Sequence, residues 1–113
     1  MSNEYLAGLF DGEGCVTYSN KPVLRKGKKK AYPIWNIRLE IAMTHKETIQ
    51  YALDTFGCGH MNFRPRAPHQ TMDQWRWRCS HRDALQCAKR MFPHSVTKKE
   101  KLENIIKHYE IKD

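Results

Sequence analysis

Residues 6–14, with the sequence LAGLFDGEG, constrain the fold of this chain more than any other segment. Gly8 and Gly12 are four positions apart, so on a helix they share one face. Because glycine has no side chain, another backbone can approach that face very closely. Asp11 and Glu13 fall at the C-terminal end of the helix, where the helix dipole disfavours acids. Acids in that position indicate cation binding; the plain alternative is a short helix with a glycine-rich C-cap.

The size and composition of the chain limit its class. With 113 residues it is predicted to form a single domain, 1–113, and a hydrophobic content of 40% fits a globular protein. No apolar run approaches the roughly 18 residues that a membrane helix needs, and no signal peptide is visible. We therefore expect a protein of the cytoplasm or organellar matrix, neither secreted nor membrane-bound.

The formal net charge is +8, and the positive charge is concentrated in two segments. Segment 21–30 carries six lysines and arginines and no acid, and segment 64–82 carries five arginines with only Asp73 opposing them. Such a balance indicates a polyanionic partner, with nucleic acid first. The alternative is a solvated basic surface, but the arginines recur at strand spacing on one face, which argues against it.

The four cysteines raise the question of a zinc site. The strongest case combines Cys58 and His60 with Cys79 and His81, but the spacing is not that of a C-x2-4-C pair. Strand alternation also predicts that Cys79 and His81 lie on the core side and Cys58 and His60 on the opposite side. Free, mostly packed thiols are therefore the preferred interpretation.

Hydrophobic periodicity predicts four helices and four strands in the order αββαββα, with a last helix at the end of the chain. The helices are predicted at 3–12, 45–56, 83–91 and 97–111. The strands are predicted from 15–19 and over 33–44, 59–66 and 73–80, with a basic connection over 20–31. Ser2 or Asn3 is the predicted N-cap of the first helix, Thr44 that of the second, and Gly57 the stop of the second.

Alternation along the strands predicts a sheet with one polar face and one apolar face. Arginine can fork onto guanine, Asn or Gln onto adenine, and Glu can accept from cytosine, so the polar face suits base reading in the DNA major groove. Trp75 and Trp77 fall on the other face, which favours core packing over base stacking. The polar positions are Thr17, Ser19, Lys21, Asn36, Arg38, Glu40, His60, Asn62, Arg64, Gln74, Arg76 and Arg78.

Residues 6–14 resemble the signature of the LAGLIDADG homing endonucleases. Six of the nine positions match, and Phe10, Gly12 and Glu13 differ. The resemblance implies an α+β fold, αββαββα, in which helices cover one face of a curved antiparallel four-stranded sheet. The open face of that sheet would lie in the DNA major groove.

The resemblance also implies a set of active-site residues. Glu13 would bind Mg²⁺ with the Gly12 carbonyl, and Mn²⁺ could substitute. Lys98, with Lys99 as a close competitor, would bind or activate the attacking water, and His45 would position it. Asp11 would be structural.

One motif per chain implies a homodimer in which two motif helices pack side by side. The expected interface residues are Leu6, Ala7, Gly8, Leu9, Asp11 and Gly12, and a chain acting alone would leave Leu6 and Leu9 partly exposed. The expected DNA-binding residues are Ser19, Lys21, Lys26, Lys28, Asn36, Arg38, Glu40, Asn62, Arg64, Arg66, Gln74, Arg76 and Arg78.

The function that follows from the resemblance is a metal-dependent double-strand break in a long pseudo-palindromic DNA target, leaving 5′-phosphate and 3′-hydroxyl ends. The partners are double-stranded DNA and a second copy of the chain, without a membrane or a small-molecule cofactor. The alternatives are a maturase-like RNA-binding splicing cofactor and a DNA-binding regulator that does not cleave.

Overall fold

The computed structural model describes residues 2–24, 27 and 31–112, which form helices packed against an antiparallel sheet. The predicted α+β fold is confirmed. A short 3₁₀ turn, Phe92–His94, precedes the last helix. In chain order the elements are α1 Ser2–Glu13, β1 Gly14–Leu24, β2 Ala31–Met43, α2 Lys46–Phe56, β3 His60–Arg64, β4 Gln74–Ser80, α3 His81–Met91 and α4 Lys99–Lys112.

The sheet has the strand order β1-β2-β4-β3, with each neighbouring pair antiparallel. The β1–β2 register places Gly14 opposite Ile41, so α1 leads directly into an edge strand. Gly14 is needed at this junction because a Cβ there would overlap the ring of Phe10, which is fully buried. The end of α1 is therefore held close to the start of the sheet.

The first two strands are longer than the sequence pattern predicts. Residues 20–24 pair with 31–35, so half of the expected connection over 20–31 is β-structure. Pro22 lies opposite Pro33 within this extension. Prolines are tolerated there because β4 pairs with β2 only from Arg38 onward, which leaves both proline-containing segments with one described neighbour each.

The core lies between the sheet and the helices. Ile37, Leu39 and Ile41 of β2 and Trp77 and Cys79 of β4 are at most 3% exposed, as the alternation predicts. The Trp77 ring stacks on the Phe56 ring of α2, with 4.4 Å between the ring centroids. The indole N–H of Trp77 donates a hydrogen bond to the Cys58 carbonyl. The helices contribute the other buried side chains: Leu6, Ala7, Phe10, Ile49, Ala52, Phe56, Ala84, Leu85, Cys87, Ala88, Met91, Leu102 and Ile105.

Several helix ends differ from the prediction. His45, rather than Thr44, is the N-cap of α2, while Gly57 ends that helix in the left-handed conformation as expected. Asn3 lies inside α1, where its side chain accepts a hydrogen bond from Arg90, so it is not an N-cap. α3 begins at His81, two residues before the predicted start.

Three of the four thiols form a cluster on the core side of the sheet. The Cys58 and Cys87 sulfurs are 3.4 Å apart, and those of Cys79 and Cys87 are 3.9 Å apart. The predicted position of Cys58 on the polar side is therefore wrong, because the residue precedes β3 and does not follow its alternation. Burial, together with Cys87, raises the pKa of the Cys58 thiol to about 12.

None of the helices within the described residues combines the length and the apolar character that a bilayer span requires.

Candidate functional site

Asp11 ties the C-terminal end of α1 to the segment before α4. Its carboxylate accepts hydrogen bonds from the Ser95 hydroxyl and from the backbone N–H groups of Val96 (2.7 Å) and Lys98 (3.3 Å). Its backbone carbonyl accepts from the Thr97 hydroxyl at 3.0 Å. Asp11 therefore fixes where the first turn of α4 lies relative to the last turn of α1.

Ionised Asp11 is the form that these contacts favour. Partial burial opposes ionisation, but the hydrogen bonds from Ser95, Val96 and Lys98 outweigh it and lower the pKa of the carboxyl below its ordinary value of 3.8. The carboxylate accepts several N–H and O–H groups at once, which is an arrangement that stabilises the charged form.

Lys98 lies at the end of the motif helix. Its ammonium Nζ donates to the Asp11 carbonyl at 3.1 Å. Lys99 points elsewhere, with its Nζ 4.9 Å from the centroid of the Phe92 ring. Because α1 has no basic residue in its own last turn, Lys98 supplies the positive charge at the negative end of the helix dipole. Of the two candidate lysines, Lys98 is the one beside the motif.

The candidate metal ligands, the Glu13 carboxylate and the Gly12 carbonyl, belong to the exposed last turn of α1. Both are oxygen donors, which Mg²⁺ prefers, and this ion is usually held by one or two carboxylates with substrate phosphates and waters. Over residues 2–24, 27 and 31–112, no three His, Cys, Asp or Glu side chains converge. The donor set therefore fits an ion shared with phosphates and a second carboxylate, not a closed cage within one chain.

The two motif glycines face open space. A Cβ on Gly8 or on Gly12 would meet no atom of the described residues within 4 Å, apart from the backbone of α1 itself. Leu6 and Ala7, by contrast, are fully buried in the core of their own chain. The expected partial exposure of Leu6 is therefore wrong, and neither Leu6 nor Ala7 has surface to offer a second copy. Leu9 is half-buried and packs against the core.

His45 is engaged locally at the start of α2. Its Nδ1 lies 2.7 Å from the Thr48 hydroxyl and accepts from the Thr48 N–H at 3.3 Å. Its Nε2 is 3.4 Å from the Glu47 carboxylate. Among the described residues, these polar contacts are confined to one helical turn, and none joins His45 to Glu13. The water-positioning role of His45 stays a prediction.

The polar face of the sheet carries the predicted base-reading side chains. Directly opposed residues of antiparallel strands share a face, and the register opposes Thr17 to Arg38, Glu40 to Arg78 and Asn62 to Arg76. Ser19, Asn36, Asn62 and Arg64 are exposed, while Arg38, Glu40, Gln74, Arg76 and Arg78 are half-buried.

The remaining predicted DNA contacts lie away from the centre of this face. Arg66 follows the end of β3 instead of belonging to it, and its guanidinium donates to the Gln70 carbonyl at 3.2 Å. Lys21 belongs to β1, where its backbone lies opposite Ile34. Lys26 and Lys28 lie outside the described residues.

No protein-family model matches the sequence, and comparison with characterised proteins gives no match. Comparison with solved structures does. I-CvuI, a homing endonuclease in complex with its target in the presence of Ca²⁺, matches 93% of this chain with a TM-score of 0.70 and 14% identity. The chain has the homing-endonuclease fold. The archaeal intron-encoded homing endonuclease I-Vdi141I, complexed with DNA, matches 91% of it with a TM-score of 0.69 and 13% identity.

The LAGLIDADG homing endonuclease I-GzeII, in complex with a DNA target, matches 93% of this chain with a TM-score of 0.67 and 14% identity. The match covers 63% of I-CvuI and of I-Vdi141I and 34% of I-GzeII. This chain therefore carries the homing-endonuclease fold on less than two thirds of the length of the solved chains named here.

Sequence reasoning missed two features of the site. The first is the set of donors around Asp11, of which Ser95 and Thr97 carry a weak signal as hydroxyl residues just before a helix. The second is the contact of Glu40 with three arginines, Arg38, Arg76 and Arg78. Alternation placed all four on one face, but only the register of β2 and β4 shows that they converge.

Proposed function

We propose that this chain is a homodimeric, site-specific DNA endonuclease of homing type that hydrolyses phosphodiester bonds with Mg²⁺. The observation that carries the proposal is the juxtaposition at the end of α1, where the Lys98 ammonium bonds the Asp11 carbonyl two residues before the exposed Glu13. A carboxylate and a lysine at an exposed helix end suit phosphate chemistry better than binding alone. The solved homing endonucleases with this fold, bound to DNA, support the same assignment.

Each candidate residue has a distinct role in this proposal. Glu13 and the Gly12 carbonyl would hold Mg²⁺, which when bound would polarise the phosphate and stabilise the leaving 3′-oxygen. Lys98 donates to the attacking water or to the phosphate and offsets developing negative charge. His45, at the start of α2, would orient the water. The products carry 5′-phosphate and 3′-hydroxyl ends.

The glycine face of α1 supports a dimer with one acid from each chain. Glycine in a helix interior costs about 1 kcal/mol relative to alanine. Contacts among the described residues do not explain that cost at Gly8, since a Cβ there, and likewise at Gly12 in the last turn, meets nothing within 4 Å outside the helix's own backbone. A second α1 packed against this face explains it. The interface then centres on Gly8, Leu9 and Gly12, and not on the buried Leu6 and Ala7.

The test is cleavage of a duplex that spans the uninterrupted form of the locus in which the gene lies, with Mg²⁺, Mn²⁺, Ca²⁺ or chelator. Wild type should cut with Mg²⁺ and bind without cutting in Ca²⁺, whose looser coordination positions water poorly. Glu13→Gln should abolish cutting while binding persists, because the side chain keeps its shape but loses the charge that holds the ion. Glu110→Gln, an exposed change on α4, is the matched control and should cut normally.

Two outcomes contradict the proposal. Cutting by Glu13→Gln at the wild-type rate would remove the residue from the active site. A wild-type protein that binds this duplex but never cuts it would favour the DNA-binding regulator, and one that prefers the intron transcript would favour the maturase-like alternative.

A further inference from the structure

Glu40 is the centre of a charged cluster on the polar face of the sheet. Its Oε1 lies 2.9 Å from Nε of Arg38 and 3.2 Å from Nη2 of Arg78. Its Oε2 lies 3.9 Å from Nη1 of Arg76. One carboxylate from β2 therefore contacts three guanidinium groups from two strands.

The register of the sheet explains this convergence. Arg78 lies directly opposite Glu40, and Arg76 lies opposite Ala42, so it is a diagonal neighbour. Arg38 is two residues before Glu40 on the same strand, and hence on the same face. Ala42 is too short to keep Arg76 away from the carboxylate.

The side chains of the cluster are partly buried. The side chain of Glu40 is 18% exposed, and those of the three arginines are between 23% and 36% exposed. The Nε atoms of Arg38, Arg76 and Arg78 are buried without a hydrogen-bond partner among the described residues. Nε of Arg38 is within ion-pair distance of Glu40, but its N–H does not point at that oxygen.

The charges of the cluster do not cancel. Three positive groups and one negative group leave a net charge of +2, so the cluster still attracts a phosphate-bearing partner. The contact of Arg38 with Glu40 is through Nε. Without Glu40, the three like charges would repel one another and spread apart.

We infer that Glu40 is a positioning residue that holds Arg38, Arg76 and Arg78 as one unit, so that the base pairs read by these arginines are chosen together. The inference rests on the proposed function for its DNA substrate but not on cleavage. A base pair that draws one arginine away from Glu40 changes how firmly the carboxylate holds the other two. The readout of neighbouring positions is therefore interdependent.

This assignment differs from a direct reading role for Glu40. A carboxylate that accepts from the cytosine amino group needs an oxygen free to face the groove. Oε1 of Glu40 is already shared by Arg38 and Arg78, and Oε2 faces Arg76. Reading by Glu40 would break contacts that order three other potential readers.

The experiment is a binding selection from 24-base-pair duplexes with a randomised centre, performed in Ca²⁺ without cleavage. Glu40→Gln should bind the unselected pool at least as tightly as wild type, because one negative charge is removed. Its base preferences should weaken about tenfold or more at several neighbouring positions together, since the arginines lose their common anchor. Glu110→Gln has the same change in net charge at a distant surface and should keep the wild-type preferences.

A second measurement removes the dependence on one variant. Arg38 and Arg78 both contact Glu40. The effects of Arg38→Gln and Arg78→Gln on binding to the selected duplex should therefore not be additive when the two changes are combined. Arg64 has no ion pair with Glu40, so Arg38→Gln and Arg64→Gln should add more closely. Glu40→Asp, which keeps the charge, should restore part of the preference lost in Glu40→Gln.

Three results would overturn the inference. Loss of preference at a single base pair would mean that Glu40 reads a base itself. An unchanged profile with additive arginine variants would make the cluster purely structural. A wild-type protein that enriches no sequence would remove the reading role altogether, whereas a protein that selects sequences but fails to cut would contradict only the nuclease proposal.

Discussion

Asp11 shows how a single residue can link two distant parts of a site. Its side chain and its carbonyl together accept hydrogen bonds from four consecutive residues, 95–98. The same carbonyl receives the Lys98 ammonium. The position of Lys98 beside the motif helix therefore depends on an acid that need not touch the substrate.

Asp11→Asn should lower the free energy of unfolding at pH 7 by about 1–3 kcal/mol, because hydrogen bonds to an ionised acceptor are stronger than those to a neutral one. The folded-state pKa of Asp11 is lowered, so its contribution is present above the ordinary value of 3.8 and is lost as the pH falls through the folded-state value. The difference in the free energy of unfolding between wild type and variant should therefore diminish as the pH falls below about 3.8. Denaturant unfolding at a series of pH values measures it.

The control for this change is Asp54→Asn, which alters an exposed carboxylate hydrogen-bonded within its own helix to Gln50. It should change stability by less than about 0.5 kcal/mol. A gap for Asp11→Asn that is the same at pH 7 and pH 3 would show that its hydrogen bonds do not depend on ionisation.

None of the Asp11 contacts could be predicted from spacing, since Asp11 and Val96 are 85 positions apart. The motif predicted an acid at a helix end, and the periodicity predicted a helix over 97–111. Which donors meet that acid depends on where the segment before α4 lies relative to the end of α1. The same limit applies to Glu40, whose strand neighbours are fixed by register and not by sequence distance.

The glycines in α1 and just after it are required for different reasons. Gly14, just after the helix, leaves room for the Phe10 ring, so a Cβ there has nowhere to go. At Gly8 and Gly12, by contrast, no side chain of the described residues lies where a Cβ would be. This contrast separates the requirements of folding from those of assembly.

Gly8→Leu should convert a dimer to a folded monomer that does not cut DNA, because the new side chain holds the second α1 away. Light scattering gives the mass, and far-ultraviolet circular dichroism shows that the helices persist. Gly14→Ala should instead destabilise the fold of the chain itself, by about 1–3 kcal/mol for an overpacked site.

Gln86→Leu, an exposed change on α3, adds the same side chain without touching the glycine face and should leave the mass unchanged. If the wild-type protein were a stable monomer with and without DNA, α1 would not be a dimer interface.

For the molecule as a whole, the sequence is most informative about which residues lie on the core face and which on the polar face of the sheet. It is least informative about how long each strand is. Alternation assigned Ile37, Leu39 and Trp77 to the core and their neighbours to the polar face, and both assignments are confirmed. The end of β1 was predicted too early because Pro22, in a basic segment that also contains Gly27, resembles a loop residue. Pairing between the strands overrides that local signal.

The positive charge of the molecule predicts that its affinity for DNA depends on salt. It also predicts that the lysines of segment 21–30 contribute to binding without regard to DNA sequence. DNA affinity should fall linearly with salt on a double-logarithmic scale, with a slope of about 0.9 per phosphate contact. Replacing Lys26, Lys28, Lys29 and Lys30 by alanine should reduce that slope and weaken binding to all sequences alike. Fluorescence anisotropy titrations across a range of KCl concentrations measure both quantities.

The arginines of the polar face should behave differently. Replacing Arg38, Arg64, Arg76 or Arg78 by glutamine should cost about 1–3 kcal/mol on the preferred duplex, because a bidentate contact to a base is lost. Binding to unrelated duplexes should fall much less, so sequence preference declines. A dimer should cover about 20 base pairs, as two half-sites one helical turn apart. If all four arginines could be replaced without any change in sequence preference, the polar face would not be the surface that reads DNA.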